Sequence, residues 1–177
     1  MTVTIDGSAG VTTNSGAVYN GLQTSTVQTA PPATPQYFDF TGIPSWVKRI
    51  TVMFSGVSTN GTNNHIIQLG YGSGPTYVTS GYLGSASTQS GTSTSFSTGF
   101  MFNPSATATD ANSGIATITN ITGNAWTMTS MIGNTINNNL RYAAGNVSTV
   151  TVLTAIRITT VGSTDTFDAG SVNIIYE

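Results

Sequence analysis

His65 is the only side chain in this sequence that titrates close to neutral pH, so any general base must start there. It stands in Asn63-Asn-His-Ile-Ile67, at the mouth of a strand-like run. Catalysis by a serine or threonine nucleophile needs such a base, with the hydroxyl presented on a sharp elbow. The Ser-x-Gly contexts of this chain supply no elbow of that kind. Glycan hydrolysis needs two carboxylates across a cleft. Of the six acidic residues, Asp165 and Asp168 are the one close pair, and they flank Thr166-Phe167 in a turn, where aspartate caps backbone amides. A zinc site within one chain needs three or four ligands, which one histidine and no cysteine do not provide. Three copies of His65 around a threefold axis are the remaining route to a metal. Gly70-Tyr-Gly-Ser-Gly74 lacks the helix that must follow a phosphate-binding loop. The sequence predicts no catalytic residue, no metal and no cofactor.

Binding chemistry is better represented. Tyr71, Tyr77 and Tyr82 rise from the Gly/Ser-rich stretch Gly70–Tyr82, whose small residues let a ligand approach the backbone. A tyrosine ring offers a flat apolar face for stacking on a sugar and a hydroxyl for bonding to it. Tyr77 and Tyr82 can equally pack as strand residues. Asn134-Thr-Ile-Asn-Asn-Asn139 is a second candidate, in which Asn137, Asn138 and Asn139 could hold saccharide hydroxyls through their amides. Turns also favour asparagine for backbone reasons alone.

Short strands must position these loops. Tyr37 and Asp39 alternate with Phe38 and Phe40, and Val47–Val57 places Ile50, Val52 and Phe54 on one side. Ile66–Leu69, Thr76–Leu83, Ser93–Phe102, Gly114–Thr122 and Ala125–Ile132 follow, separated by Ser-Gly, Asn-Gly, Gly-Pro and Asn-Pro turns. Trp126 lies in phase with Met128 and Ile132 and is expected in the core. Trp46, after Pro44, is expected to plug the end of a sandwich. Val147–Val161 is β-branched, with Val150, Val152, Ile156 and Ile158 in phase; Thr164–Phe167 and Ser171–Tyr176 close the chain. Arg157 interrupts its strand, and pairing with Asp165 or Asp168 would satisfy it. No apolar period of 3.6 persists over three helical turns. About ten strands without helices predict an all-β fold, an antiparallel β-sandwich of jelly-roll-like form over residues 37–177, with an up-and-down barrel as the alternative. Residues 1–36 read as an extended N-terminal attachment arm and linker. Val3 and Ile5 suggest one short strand there, Gly7, Gly10, Gly16 and Gly21 break the apolar runs, and Pro31-Pro32 favours the stiff polyproline form.

Charge narrows the partners. Only 6% of the 177 residues are charged, against roughly 25% in ordinary domains. Four basic residues cannot form the cationic cluster that phosphate backbones require, so nucleic acid is excluded. No window approaches the ~20 apolar residues of a spanning helix, so no membrane insertion is expected. Met1–Gly10 lacks the basic and apolar regions of a signal peptide, and cysteine is absent.

Three stretches carry a resemblance. Phe38-Asp-Phe-Thr-Gly-Ile-Pro-Ser-Trp-Val-Lys-Arg-Ile-Thr-Val-Met-Phe54 runs into Ser55-Gly-Val-Ser-Thr-Asn-Gly-Thr62; Thr79-Ser-Gly-Tyr82 and Ser97-Thr-Gly-Phe100 follow; Arg157–Glu177 ends the chain. Together they resemble the C-terminal β-domain of tail-fibre proteins of phages and prophages of Gram-negative hosts, over about residues 37–177. The resemblance implies a homotrimeric virion protein of the phage tail. Its arm would join a tail or baseplate protein and its tip would bind host surface polysaccharide. Many such fibres carry a long shaft where this chain has only the short arm, which leaves open a complete short fibre, a tip joined to another protein, or, as the alternative function, a structural capsid decoration protein.

Overall fold

The computed structural model describes residues 3–6, 10–13, 18–19, 21–30, 35–91 and 93–177; for those before residue 20 the description is of backbone alone. Strands β1 (Val3–Asp6), β2 (Gly10–Thr13) and β3 (Val18–Tyr19) form a small antiparallel sheet, where the sequence suggests a single strand. Pro31 and Pro32, the expected stiff linker, lie outside the described residues. Ahead of them, β4 (Gln23–Thr24) and β5 (Gln28–Thr29) pair with the last strand of the chain. Part of the expected arm is thus a sheet edge, and Ala30 is buried beneath it.

The remaining strands make an antiparallel β-sandwich, as the alternation predicts. They are β6 (Phe38–Thr41), β7 (Arg49–Thr59), β8 (His65–Tyr71), β9 (Thr76–Tyr77), β10 (Leu83–Thr88), β11 (Ser93–Phe96) and β12 (Phe100–Asn103). Then come β13 (Asn112–Thr122), β14 (Ala125–Asn134), β15 (Asn139–Ser148), β16 (Leu153–Thr160) and β17 (Phe167–Tyr176). The nine-stranded sheet runs β11-β10-β15-β14-β13-β7-β17, with β4 and β5 along the outer edge of β17. The five-stranded sheet runs β12-β8-β16-β6, with β9 beside the far end of β8. Among the described residues there is no α-helix; one 3-10 turn, Val161–Ser163, leads into the final strand.

The core lies between the sheets. From the large sheet come Ile50, Val52 and Phe54, Ala116 and Ile118, Trp126, Met128 and Ile132, and Val172 and Ile174. They meet Phe38 and Phe40, Ile67 and Leu69, Phe100 and Phe102, and Ile156 and Ile158. Burying each large aliphatic or aromatic side chain is worth about 1.5–3 kcal/mol. Phe54 stacks on Phe102 at 4.4 Å and Phe38 meets Phe167 with tilted rings at 4.7 Å, tying one sheet to the other twice. Trp126 is in the core, and Trp46 packs on Tyr176 at the sandwich end, both where their spacing puts them.

Four strand assignments change. Ser93–Phe102 divides into β11 and β12, which lie in different sheets, and Thr164–Thr166 is a turn ahead of β17. Val150 and Val152 are exposed and precede β16, so they do not continue the Ile156/Ile158 face. Residues 78–82 leave the strand after β9, pass through exposed Ser80 and Gly81, and end with Tyr82 turned inward.

Candidate functional site

The tyrosine segment does not form one surface. Tyr82 is fully buried: its hydroxyl accepts the Leu69 amide hydrogen at 2.8 Å and its ring meets Phe100 edge-on at 4.9 Å. Burial pushes its phenol well above the ordinary range. It is a core residue that satisfies a strand amide, which corrects its reading as a ligand contact. Tyr77 is half-buried, lying over Gly70 and against Arg157, whose Cζ stands 4.0 Å from the Tyr77 ring centroid and 3.8 Å from that of Tyr37. Burial and the neighbouring Asp39 carboxylate raise its phenol pKa. Tyr71, at the end of β8, remains half-exposed beside the turn at Gly72.

Arg157 holds Asp39 through two hydrogen bonds of 2.7 Å, not Asp165 or Asp168. The register explains this, since Asp39 and Arg157 are direct cross-strand partners of β6 and β16. Asp165 instead accepts the backbone and side-chain amides of Asn63 at 2.8 and 2.7 Å, clamping two turns together. That is the amide-capping role its turn position suggests.

The asparagine segment is an exposed hairpin tip. The turn between β14 and β15 contains Asn138 in the left-handed region, at φ 48°, a conformation asparagine tolerates better than most residues. Asn134 organises it, its side-chain oxygen accepting the amides of Ile136 at 3.0 Å and Asn137 at 3.3 Å. Asn139 accepts the Gln89 amide at 3.2 Å, joining the tip to the end of β10. Asn137, Asn138 and Asn139 line a shallow hollow of about 350 Å³ with Gln89 and Ser90. Asn138 is exposed and makes no side-chain hydrogen bond among the described residues.

Beneath this tip lies a polar cluster that sequence reasoning missed. Asp110 and Arg141 form a buried ion pair at 3.0 Å. Asp110 also accepts from Asn103 at 3.0 Å, from the Thr107 amide at 3.1 Å and hydroxyl at 2.8 Å, and from Asn134 and Asn137. Arg141 donates to Asn112 and to the Ser105 carbonyl, and Asn112 donates to the Val57 carbonyl at 3.0 Å. Burial alone would raise the Asp110 carboxyl, but these hydrogen bonds and the Arg141 charge hold it below the usual range. The cluster pins residues 103–112 to the hairpin tip. Nothing in the local sequence marks Asp110 or Arg141, because they are 31 positions apart and meet only through the register of β15 with its neighbours.

His65 belongs to the same interior. Its Nε2 lies 3.1 Å from the Thr59 hydroxyl and its Nδ1 3.5 Å from the Asn103 amide. Burial pushes the imidazole down to about 4, so it is neutral at pH 7. Being fully buried, it cannot meet two other copies on a symmetry axis, which removes the threefold metal arrangement. No group of three metal-ligating side chains occurs among the described residues.

Tyr71 and the asparagine tip lie at opposite ends of the sandwich. His65 opens β8 on the Asp110 side, and Tyr71 closes it six residues later, ~20 Å away at ~3.3 Å per residue. The fold and these features define an antiparallel β-sandwich with an amide-lined tip braced from inside. No protein-family model and no curated protein matches the chain.

Proposed function

We propose that this chain is an attachment protein of a bacteriophage tail whose asparagine tip binds neutral host surface polysaccharide. The observation that carries the reading is the hollow lined by Gln89, Ser90 and Asn137–Asn139, held open by a densely bonded polar cluster. Amides and hydroxyls facing solvent on a rigid support match sugar hydroxyls, and preorganisation keeps the cost of ordering the loop low. The motifs that resemble tail-fibre domains support the same reading. Copies assemble as a homotrimer, and the N-terminal residues join it to a tail or baseplate protein.

The test is binding of labelled protein to Gram-negative cells and to their extracted polysaccharides, at low and moderate salt. Binding should hardly change with salt, because no charge pairs carry it. Asn137→Ala with Asn138→Ala should weaken it about tenfold, each lost hydrogen bond counting about 0.5–1.5 kcal/mol. Binding that collapses with salt, or that survives both substitutions, would overturn the reading. Arm-dependent binding to empty capsids, without cell binding, would assign the chain to capsid decoration instead.

A further inference from the structure

The outward face of the nine-stranded sheet has the wrong composition for water. An antiparallel sheet with one solvated face normally carries polar residues on it. Here four successive cross-strand partners are apolar: Met53 on β7, Ile115 on β13, Met131 on β14 and Tyr142 on β15. Ile115, Met131 and Tyr142 are 49%, 63% and 49% exposed. The next row toward Arg49 reads Ile175, Thr51, Thr117, Thr129 and Ala144 across five strands. Leu22 adds to it, and with Thr51, Ile115, Thr117 and Ile175 it lines a hollow of about 390 Å³.

This face also carries little charge. Among the described residues, Arg49 and Glu177 are the charges that touch it, at one end and paired with each other. Lys48 precedes β7 and bonds Asn120 at the sandwich end. Asp39 and Arg157 are on the other sheet, Asp110, Arg141 and Asp165 are buried, and Asp168 sits at the bulged start of β17.

We propose that this face is where copies of the chain pack against one another. It deepens the trimer part of the function proposed above by naming the surface, and it rests on no claim about the receptor. Two observations select a second copy as the occupant. The first is size: five strands of ten or eleven residues at ~4.8 Å spacing and ~3.3 Å rise give about 24 by 33 Å, roughly 800 Å². That is close to the ~800 Å² a molecule buries in a standard stable interface, here divided between a copy's two neighbours. The second is self-complementarity: a neutral face meets its own copy without like-charge repulsion, and protruding Met131 and Tyr142 stand beside a hollow that a neighbour's side chains can fill. In a trimer the three faces turn toward one axis, and each touches both neighbours.

The full chain should sediment as an oligomer at micromolar concentration. Met131→Lys, which sets like charges against each other in the contact, should shift it to monomer, whereas Val150→Lys, 71% exposed and off this face, should not. Tyr142→Ser provides a milder second variant, expected to raise the dissociation constant at least tenfold with unchanged circular dichroism. The chain has no cysteine, so Met131→Cys offers one labelling site, whose thiol should react with a maleimide at least tenfold more slowly in the oligomer than after dilution to monomer. A monomeric parent would sink both the face and the trimer. An oligomer that persists in folded Met131→Lys and Tyr142→Ser would sink the face alone. A Met131→Cys monomer whose thiol stays protected would assign the face to the chain's own first residues, again overturning the proposal. None of these outcomes depends on polysaccharide binding.

Discussion

Lowering the pH from 7 to 5 should cost this protein about 2 kcal/mol through one residue, His65. In the folded state its imidazole is pushed down to about 4 from the ordinary 6.5, chiefly because it is buried. Asp110 and Asp165 pull it up and Arg141 pulls it down, and none of these offsets the loss of water. The unfolded chain therefore takes up a proton near pH 6.5 that the folded chain refuses until about pH 4. Stability is complete above pH 6.5 and falls as the pH drops through that window. The displacement of two to three pH units corresponds to about 3 kcal/mol, of which about 2 is lost by pH 5. With a urea slope of ~2 kcal/mol/M, the unfolding midpoint should move down by about 1 M.

This interval isolates the residue. His65 is the only histidine, and the depressed Asp110 carboxyl contributes stability that is lost only as the pH falls below about 4. Urea melts at fixed protein concentration, at pH 7, 6 and 5, should show the decline in the parent. They should show a nearly flat profile in His65→Gln, whose amide can still meet Thr59 and Asn103. A parent that loses less than about 0.5 kcal/mol, or a variant that loses as much as the parent, would refute the burial argument.

Three further outcomes are expected. Arg141→Ala should destabilise the fold by about 3–5 kcal/mol, because it strands Asp110 as an unpaired buried charge; adding Asp110→Asn should recover part of that loss in thermal melts. Tyr82→Phe should cost about 1–3 kcal/mol by leaving the Leu69 amide unsatisfied, while cell binding below its melting temperature stays unchanged; Tyr71→Ala should change neither. Deleting residues 1–20 should leave the melting temperature in place, since β1–β3 take their strand partners from one another, whereas deletion to residue 36 should lower stability by about 2–4 kcal/mol. That larger cut removes the bonds from Ser25 and Ala30 to β17 and from Phe167 and Thr159 to Pro35 and Gln36.

Alternation makes the sandwich legible where side chains carry it. β6, β7, β13 and β14 all fall close to the runs in which large apolar residues repeat every second position. β10 and β15 are hidden because they are built largely from glycine, serine, alanine and asparagine. Their structure supplies the reason. Gly84 and Gly145 lie under the Phe96 ring, where a Cβ at either position would collide with a ring carbon. The aromatic that fills this part of the core comes from a third strand, so the pair it covers shows no hydrophobic pattern of its own.

The candidate site divides along the same line. Asparagines 137–139 are readable because turn chemistry and exposure follow from local sequence. Tyr82 is not, since whether a tyrosine faces water or core depends on which way residues 78–82 bend after β9, and that bend is set by contacts with Leu69 and Phe100. The ion pair is least legible of all. Asp110 and Arg141 look like two of ten scattered charges, and only cross-strand register brings them together. That placement has a consequence for a chain so poor in charge. One of its few ion pairs is buried to brace the amide tip, and another is stacked on tyrosines of the small sheet, leaving the broad face of the large sheet neutral. A surface without net charge neither steers a ligand over distance nor repels its own copy. Short-range fit must then govern both the tip and the broad face, which is why both are expected to be insensitive to salt and sensitive to single side chains.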